Sequence, residues 1–253
     1  MIISHKYKYI FLKPGKVAGT SVEIALSKFC GESDIITPQT EYTSVNDSNE
    51  YFDLSRNYKS KGFTSHIKPK EIKKKISKDI WNNYFKFTII RNPWDRAVSS
   101  FFWQNSLSNN IKDKINLRKI FKNLFNINAY IFLIKYITKK AYDLFFSLFK
   151  LNKFEKFVLI LFIFNQYRNN DYYFNKKNEL ICDFYIRYEN LENDYKKVCD
   201  ILKMPHENLP KTKNKSRKNK KHYSKYYNKY TKKIIEIIYR KEINYFKYKF
   251  EKE

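Results

Sequence analysis

Glycine, proline and cysteine are scarce in this chain of 253 residues, which has 4 Gly, 6 Pro and 3 Cys. The first two counts exclude a collagen-like chain and a Gly/Pro-rich disordered one. The cysteines, Cys30, Cys182 and Cys199, are odd in number and scattered, with no CxxC pair and no Cys/His cluster. This pattern disfavours a disulfide framework and a zinc site, is typical of a reducing compartment, and leads us to expect no metal.

Long hydrophobic runs and an N-terminal signal are also lacking. The longest apolar run covers residues 157–164, well short of the roughly 20 residues that a membrane-spanning helix needs. The first residues lead directly into charged sequence, so we expect no signal peptide and a cytoplasmic protein. Residues 120–149 are apolar but interrupted by charges, which predicts amphipathic helices and leaves contact with a membrane surface open.

Acidic residues are few, since 25 Asp and Glu stand against 51 Lys and Arg, a formal net charge of +26. Such a charge alone indicates a polyanion such as nucleic acid as partner. Only 8 of the basic residues are Arg, however, and Lys, Asn, Ile, Tyr and Phe, which A/T-rich codons encode, are all abundant. We therefore attribute most of the excess to genome composition and expect no specific nucleic-acid partner, with a basic nucleic-acid-binding protein kept as an alternative.

Hydrophobic residues, with the aromatic ones included, make up 43% of the chain, and aromatic residues alone make up 19%. This is enough for the core of one domain over residues 1–253. Residue patterns predict strands over 7–12, 85–90 and 180–188, and helices over 20–29, 69–80, 94–103, 191–202 and 231–246. Strands that alternate with helices predict a three-layer α/β fold with a central parallel sheet flanked by helices. Residues 31–62 are predicted to be loop, and residues 106–179 a helical insertion.

The segment after the first predicted strand, residues 13–21 (KPGKVAGTS), is typical of a phosphate site. Small residues between a strand and a helix let backbone N–H groups converge, and the helix N-terminus adds positive potential. We expect Gly15 and Gly19 to allow unusual φ angles. A Walker loop would read G-x-x-x-x-G-K-[ST], but these glycines are one residue too close and no lysine follows the second. A small-molecule kinase on a P-loop fold therefore stays only an alternative.

Arg91 directly follows the predicted strand 85–90. Because the carboxyl ends of parallel strands meet at one edge of a sheet, we expect Arg91 to lie near the first loop. Its planar guanidinium suits a phosphate dianion, although a structural salt bridge is an alternative. Ser99 lies two turns into the next helix, where it can face the same anion. Arg96 is expected to pair with Asp95 or Glu189, or to lie in solvent.

These two segments together resemble the sulfotransferases that use 3′-phosphoadenosine 5′-phosphosulfate (PAPS) as donor. In that superfamily a P-K-x-x-G-T-[ST] loop binds the 5′-phosphosulfate, and an arginine followed eight residues later by a serine binds the 3′-phosphate. The chain has P-G-K-V-A-G-T-S, and Arg91 precedes Ser99 by eight residues. The resemblance implies a P-loop-like fold, PAPS as donor and 3′-phosphoadenosine 5′-phosphate (PAP) as product. A fold that keeps only nucleotide binding is an open alternative.

Further segments, residues 86–96, 183–191 and parts of 209–227, resemble the carbohydrate branch often called sulfotransferase family 2. This likeness implies a hydroxyl of a sugar or glycan as acceptor. It is weak over residues 31–59 and 106–153, where we expect acceptor choice to be determined.

The resemblance also implies roles for single residues. Lys16 is the expected catalytic cation, with Lys13 as competitor because Gly15 interrupts the motif. His66, before a helix, is the expected base, and Glu189 is an alternative base or an arginine partner. The implied donor-binding residues are Gly15, Lys16, Val17, Ala18, Gly19, Thr20, Ser21, Arg91, Ser99, Ser216, Arg217 and Tyr223. For the last three, a solvated lysine-rich run over residues 211–233 is an alternative. Trp94 and Trp103 are expected in the core.

Overall fold

The computed structural model describes residues 1–37, 62–112, 151–164, 168–210 and 221–253, with side chains described up to residue 106 in the second range. Five strands form one sheet in the order β3-β1-β2-β4-β5. They are β1 (Ile2–Ser4), β2 (Tyr9–Leu12), β3 (Ile35–Ile36), β4 (Phe85–Ile90) and β5 (Phe184–Arg187).

The three strands that carry the site, β2, β4 and β5, are parallel, with Leu12 paired to Thr88 and Ile90 paired to Arg187. The predicted α/β fold with parallel core strands is thus confirmed. The sheet is nevertheless mixed, because β1 pairs antiparallel with both β2 and β3. These strands of three and two residues are too short for a periodic pattern, so the sequence did not predict them. The Asp34 carboxylate accepts from the backbone N–H groups of His5 and Lys6 and stabilises the turn between β1 and β2.

The helices are α1 (Gly19–Ser27), α2 (Pro69–Lys75), α3 (Lys78–Asn83), α4 (Pro93–Lys112), α5 (Lys153–Phe164), α6 (Asn170–Tyr173), α7 (Leu191–Ile201), α8 (Lys229–Ile238) and α9 (Arg240–Phe246). The single helix predicted over 69–80 is two, since Ile76 is extended and Ser77 caps α3 by accepting from the N–H of Ile80 at 3.2 Å. The final helix predicted over 231–246 is likewise divided, at Tyr239.

The predicted strand 180–188 is shorter than expected, because residues 188–190 form a 3-10 turn and Leu180 makes only an isolated bridge to Phe174. The predicted insertion begins inside α4, which continues to Lys112, and includes α5 and α6. Residues 113–150 of that insertion lie outside the described residues. None of the described helices is both long and apolar enough to cross a membrane.

Alternate side chains of β2 point to opposite faces of the sheet, as the period of two in a strand requires. Tyr9 and Phe11 pack in one cluster with residues of α1 and α7, whereas Ile10 and Leu12 pack in another with residues of α2, α6 and α9. Both faces are therefore covered by helices, in three layers. A third apolar cluster joins α4, α5 and α8. The loops that follow the parallel strands lie at the carboxyl edge of the sheet.

Candidate active site

Loops that follow β2, β4 and β5 meet at the carboxyl edge of the sheet. Arg91, directly after β4, donates from Nη1 to the carbonyl oxygen of Lys16 at 3.0 Å. Its guanidinium carbon lies 3.8 Å from the centre of the Tyr188 ring, the first residue after β5. The structure thus brings together the two segments that were expected to meet there.

The loop between β2 and α1 takes its tight turn at residues that are not glycine. Lys16 and Ala18 have φ angles of 62° and 65°, in the left-handed region. The prediction that Gly15 and Gly19 supply the unusual φ is therefore wrong. What Gly19 provides is space, because a Cβ there would lie 2.8 Å from Cγ of Lys13. Left-handed L-residues cost roughly 1–2 kcal/mol each, so surrounding contacts must hold this loop in shape.

Backbone N–H groups of a tight loop that leads into a helix N-terminus can together hold an anion. The first turn of α1 contains no acidic residue to oppose its positive potential. Thr20 is half-buried at the mouth, while Ser21 is buried and its N–H donates to the carbonyl of Ala18 at 3.1 Å. Val17 packs in the core, so this residue can offer a donor molecule only its backbone.

Arg91 serves a structural ion pair and still has donors for an anion. Nε and Nη2 donate to Oδ2 of Asp95 at 2.9 and 2.7 Å. With the bond to Lys16, contacts within the described part of the chain use three of the five N–H donors of the guanidinium. Two donors can therefore turn to phosphate oxygens while Asp95 keeps the group in place.

One stripe of α4 faces the loop. Asp95, Ser99 and Trp103 follow one another at four-residue spacing, which places them on the same side of the helix. Nζ of Lys16 lies 4.7 Å from the centre of the Trp103 ring, at the far end of this stripe. Ser99 is half-buried and lies between Asp95, the partner of Arg91, and Trp103, whose ring is near Lys16. Trp94 is in the core as predicted, whereas Trp103 is only half-buried.

The second lysine of the loop, Lys13, is committed to the interior. Its Nζ donates to Oε2 of Glu23 at 2.6 Å and to Oγ of Ser65 at 3.0 Å, and both charged side chains are buried. Burial by itself would raise the pKa of Glu23, but the α-amino group of Met1 and the ammonium of Lys13 outweigh it and lower that pKa. Lys13 is thus part of a buried charge cluster, which leaves Lys16 as the expected loop cation of the site.

His66 lies against the same loop from the other side. Its Nδ1 is 2.8 Å from the carbonyl oxygen of Lys13. A carbonyl oxygen can only accept, so the ring proton is on Nδ1 and the lone pair of the neutral ring is on Nε2. This is the tautomer that a base acting through Nε2 needs. The hydroxyl of Tyr172 donates to the backbone carbonyl of His66 and holds the residue from α6.

Comparison with known protein families matches residues 1–249 to the sulfotransferase family. The chain belongs to that family. Comparisons with curated proteins and with solved structures gave no significant match. The protein is therefore a PAPS-dependent sulfotransferase, and the predicted enzyme class is confirmed. In the described residues of this sulfotransferase, no group of three or more His, Cys, Asp or Glu side chains is placed to hold a metal ion.

The ion pair of Arg96 in the sulfotransferase differs from the one predicted. Arg96 forms a buried two-point pair with Glu242, at 2.6 and 2.9 Å, instead of pairing with Asp95 or Glu189. Glu189 accepts from the backbone N–H of Asn92 at 2.6 Å. Glu242 lies far along the chain in α9, so no local spacing in the sequence indicates this pair.

Of the three residues predicted to close over the nucleotide, Ser216 and Arg217 lie outside the described residues of the sulfotransferase. Tyr223 is buried, and its hydroxyl accepts from the backbone N–H of Glu251 at 2.7 Å and from Nδ2 of Asn92 at 3.4 Å. These bonds anchor Tyr223 beside the end of β4. Its contact with the nucleotide stays a prediction.

The sequence did not indicate Asn169, which is buried beside the phosphate-site loop of the sulfotransferase. Its Nδ2 donates to the carbonyl of Gly15 at 3.1 Å. Asn169 precedes a helix of only four residues and belongs to no recognisable motif. Only the fold brings it to the loop, across 154 residues of chain.

Proposed function

We propose that this sulfotransferase transfers the sulfuryl group of PAPS in line to a hydroxyl of a carbohydrate or glycan. The observation that carries the proposal is that one loop accepts hydrogen bonds from two of the proposed site residues. Arg91 donates to the carbonyl of Lys16, and His66 donates to the carbonyl of Lys13. An anion-binding group, a cation and a base are thereby held around a single turn.

In-line sulfuryl transfer, like phosphoryl transfer, depends mainly on positioning and on stabilisation of charge. PAPS supplies the sulfuryl group and a leaving group that gains negative charge. We assign the stabilisation of that charge to the ammonium of Lys16, a residue of the loop that leads into α1. The backbone N–H groups of residues 15–20 and the Thr20 and Ser21 hydroxyls hold the 5′ end.

We assign the 3′-phosphate to Arg91 and Ser99. Among the residues that the structure describes, Arg91 keeps two N–H donors beyond its contacts with Asp95 and Lys16. Ser99 lies one turn beyond Asp95 on the same side of α4. A guanidinium fork and a hydroxyl on adjoining elements suit a phosphate that needs several donors.

His66 takes the proton of the acceptor hydroxyl at Nε2. Its hydrogen bond to the Lys13 carbonyl keeps the other ring nitrogen protonated and the ring oriented. The carbohydrate acceptor is supported by the resemblance of residues 86–96 and 183–191 to the carbohydrate branch of the family.

The proposal is tested by incubating the protein with sulfur-labelled PAPS and a panel of glycans, with and without substitution of Lys16. We expect label in a glycan product, and Lys16→Ala should abolish its formation while thermal unfolding stays unchanged. Lys28→Ala is the matched control, since it removes the same charge from an exposed ion pair at the far end of α1. Label transfer to other acceptor classes but to no glycan would contradict the carbohydrate assignment. Full turnover by Lys16→Ala would contradict the role of the lysine.

A further inference from the structure

One short segment, Asn169 with helix α6, contacts both halves of the proposed site. Asn169 bonds to the carbonyl of Gly15 in the donor loop, and Tyr172 bonds to the carbonyl of His66. The two residues are three apart in sequence, whereas the groups that they hold come from separate parts of the chain. Their relative placement therefore affects the distance between the cation and the base.

Asn169 is itself firmly anchored. It is 5% exposed, and its Nδ2 also lies 3.4 Å from the hydroxyl of Tyr173. That hydroxyl donates to the carbonyl of Ile89 in β4 at 3.1 Å. The amide of Asn169 is thus tied to the central sheet on one side and to the loop on the other.

The bond to Gly15 acts on the backbone of Lys16. The carbonyl of Gly15 and the N–H of Lys16 belong to one planar peptide unit, so the direction of one determines the direction of the other. Lys16 has a left-handed φ of 62°, which is unfavourable for a residue with a side chain. Asn169 therefore helps to keep the Lys16 backbone in this conformation, with its N–H directed away from Asn169.

The bond from Tyr172 acts on His66. Tyr172 is 6% exposed, and burial raises the pKa of its hydroxyl above the ordinary value, so it remains a donor at neutral pH. The Tyr172 hydroxyl holds the backbone of His66, and the Lys13 carbonyl holds the ring at Nδ1. The imidazole is consequently fixed at two points.

We propose that Asn169 and Tyr172 are positioning residues that set the geometry between the Lys16 loop and His66. The inference rests on the proposed roles of Lys16 and His66. Neither residue needs to touch donor or acceptor. Such a role predicts separable effects, since Asn169 acts on the donor loop and Tyr172 on the base.

The test compares Asn169→Ala, Tyr172→Phe and the control Asp171→Asn in the full chain. We expect Tyr172→Phe to lower kcat about tenfold and leave PAP affinity unchanged, because misplacement of a reacting group slows the chemical step. Asn169→Ala should lower kcat and also weaken PAP binding about tenfold. Asp171 lies on the same helix as Tyr172 and makes an exposed ion pair with Lys68, two residues from His66. Asp171→Asn should therefore change kcat less than about twofold.

A double-mutant cycle with His66→Ala, measured in single turnover, separates positioning from general stability. Adding Tyr172→Phe to His66→Ala should cause no further loss, because there is no imidazole left to position. If the two losses multiply, or if Tyr172→Phe and Asn169→Ala keep full turnover, the inference is overturned. If instead His66→Ala alone keeps full turnover, the proposed base is wrong. Tyr172→Phe removes only a hydroxyl, so it keeps the test valid if Asn169→Ala does not fold.

Discussion

Arg91 has a structural role beside its proposed one. Its pairing with Asp95 is the structural salt bridge that the sequence left as an alternative, and this pair fixes the guanidinium next to the carbonyl of Lys16. The pair is mostly buried, which limits screening by solvent. A guanidinium fixed in advance loses little entropy when it binds a phosphate.

Arg91→Ala should weaken the binding of PAP about 100-fold and that of 5′-AMP much less, because charge-assisted hydrogen bonds to a phosphate contribute about 1.5–3 kcal/mol. Isothermal titration of both nucleotides measures the difference. Arg91→Lys is the matched control, since it keeps the charge and loses the fork. Equal losses for the two nucleotides would show that Arg91 does not bind the 3′-phosphate.

The two loop lysines should differ in how much each contributes to the free energy of unfolding. Lys13→Met removes one of the two cations that pair with the buried carboxylate of Glu23, the other being the α-amino group of Met1, and should cost about 2 kcal/mol of unfolding free energy. Lys16→Met, at a half-buried position beside Trp103, should change the free energy of unfolding by less than about 1 kcal/mol. Urea denaturation of both variants tests this, and a similar loss for the two would contradict the division of roles.

The sequence identified the loop but could not decide between its lysines. Motif spacing favoured Lys16, and the structure gives the physical reason, because Lys13 turns inward to Glu23, a residue of α1. Asn169 could not be found in the sequence, since its partner Gly15 is 154 residues away. Residues that act through a motif were predictable, whereas residues that act through the fold were not.

At the scale of elements, the turn from β2 into α1 carries backbone strain. Ala18 has a left-handed φ of 65° at the N-cap of α1 and makes no side-chain capping bond. A left-handed alanine costs roughly 1–2 kcal/mol, and a glycine there avoids this cost but loses more chain entropy on folding.

Ala18→Gly should therefore raise the free energy of unfolding by about 0.5 kcal/mol. The matched control is Ala25→Gly in the interior of the same helix, which should lower it by about 1 kcal/mol or more. Denaturant titration monitored by circular dichroism measures both. Destabilisation by Ala18→Gly would mean that the alanine methyl group contributes more than the strain.

Strands and helices with a full pattern were predicted well, and β4 was predicted residue for residue. One error arose where a single polar residue divides a periodic run. The isoleucine spacing continues through Ser77, but the Ser77 side chain accepts from the N–H of Ile80 and begins a new helix. Such local bonds compete with helix continuation and are not visible in apolar periodicity.

At the scale of the whole molecule, the buried pair between Arg96 and Glu242 joins α4 to α9. Burial by itself would lower the pKa of Arg96, but the carboxylate of Glu242 outweighs it and raises that pKa. The guanidinium carbon also lies 4.7 Å from the centre of the Tyr239 ring. The C-terminal helices are thereby attached to the helix that carries Ser99.

Glu242→Ala should lower the free energy of unfolding by about 3–5 kcal/mol, because it leaves a buried guanidinium without a partner. The control is Glu236→Ala, which breaks an exposed pair with Lys233 and should cost less than about 1 kcal/mol. Thermal and urea unfolding of the two variants tests the contrast. Equal stability of both would mean that the buried pair contributes little to the native state.

The contacts of the site also bear on how the molecule folds. Pairing of β2 with β4 joins Tyr9 to Phe85, and the loop between β2 and α1 accepts a hydrogen bond from Asn169. Contacts between residues so distant in sequence form late, because their loop-closure entropy must first be overcome. During refolding, helical signal should therefore return before nucleotide binding, and transfer activity should return last of all.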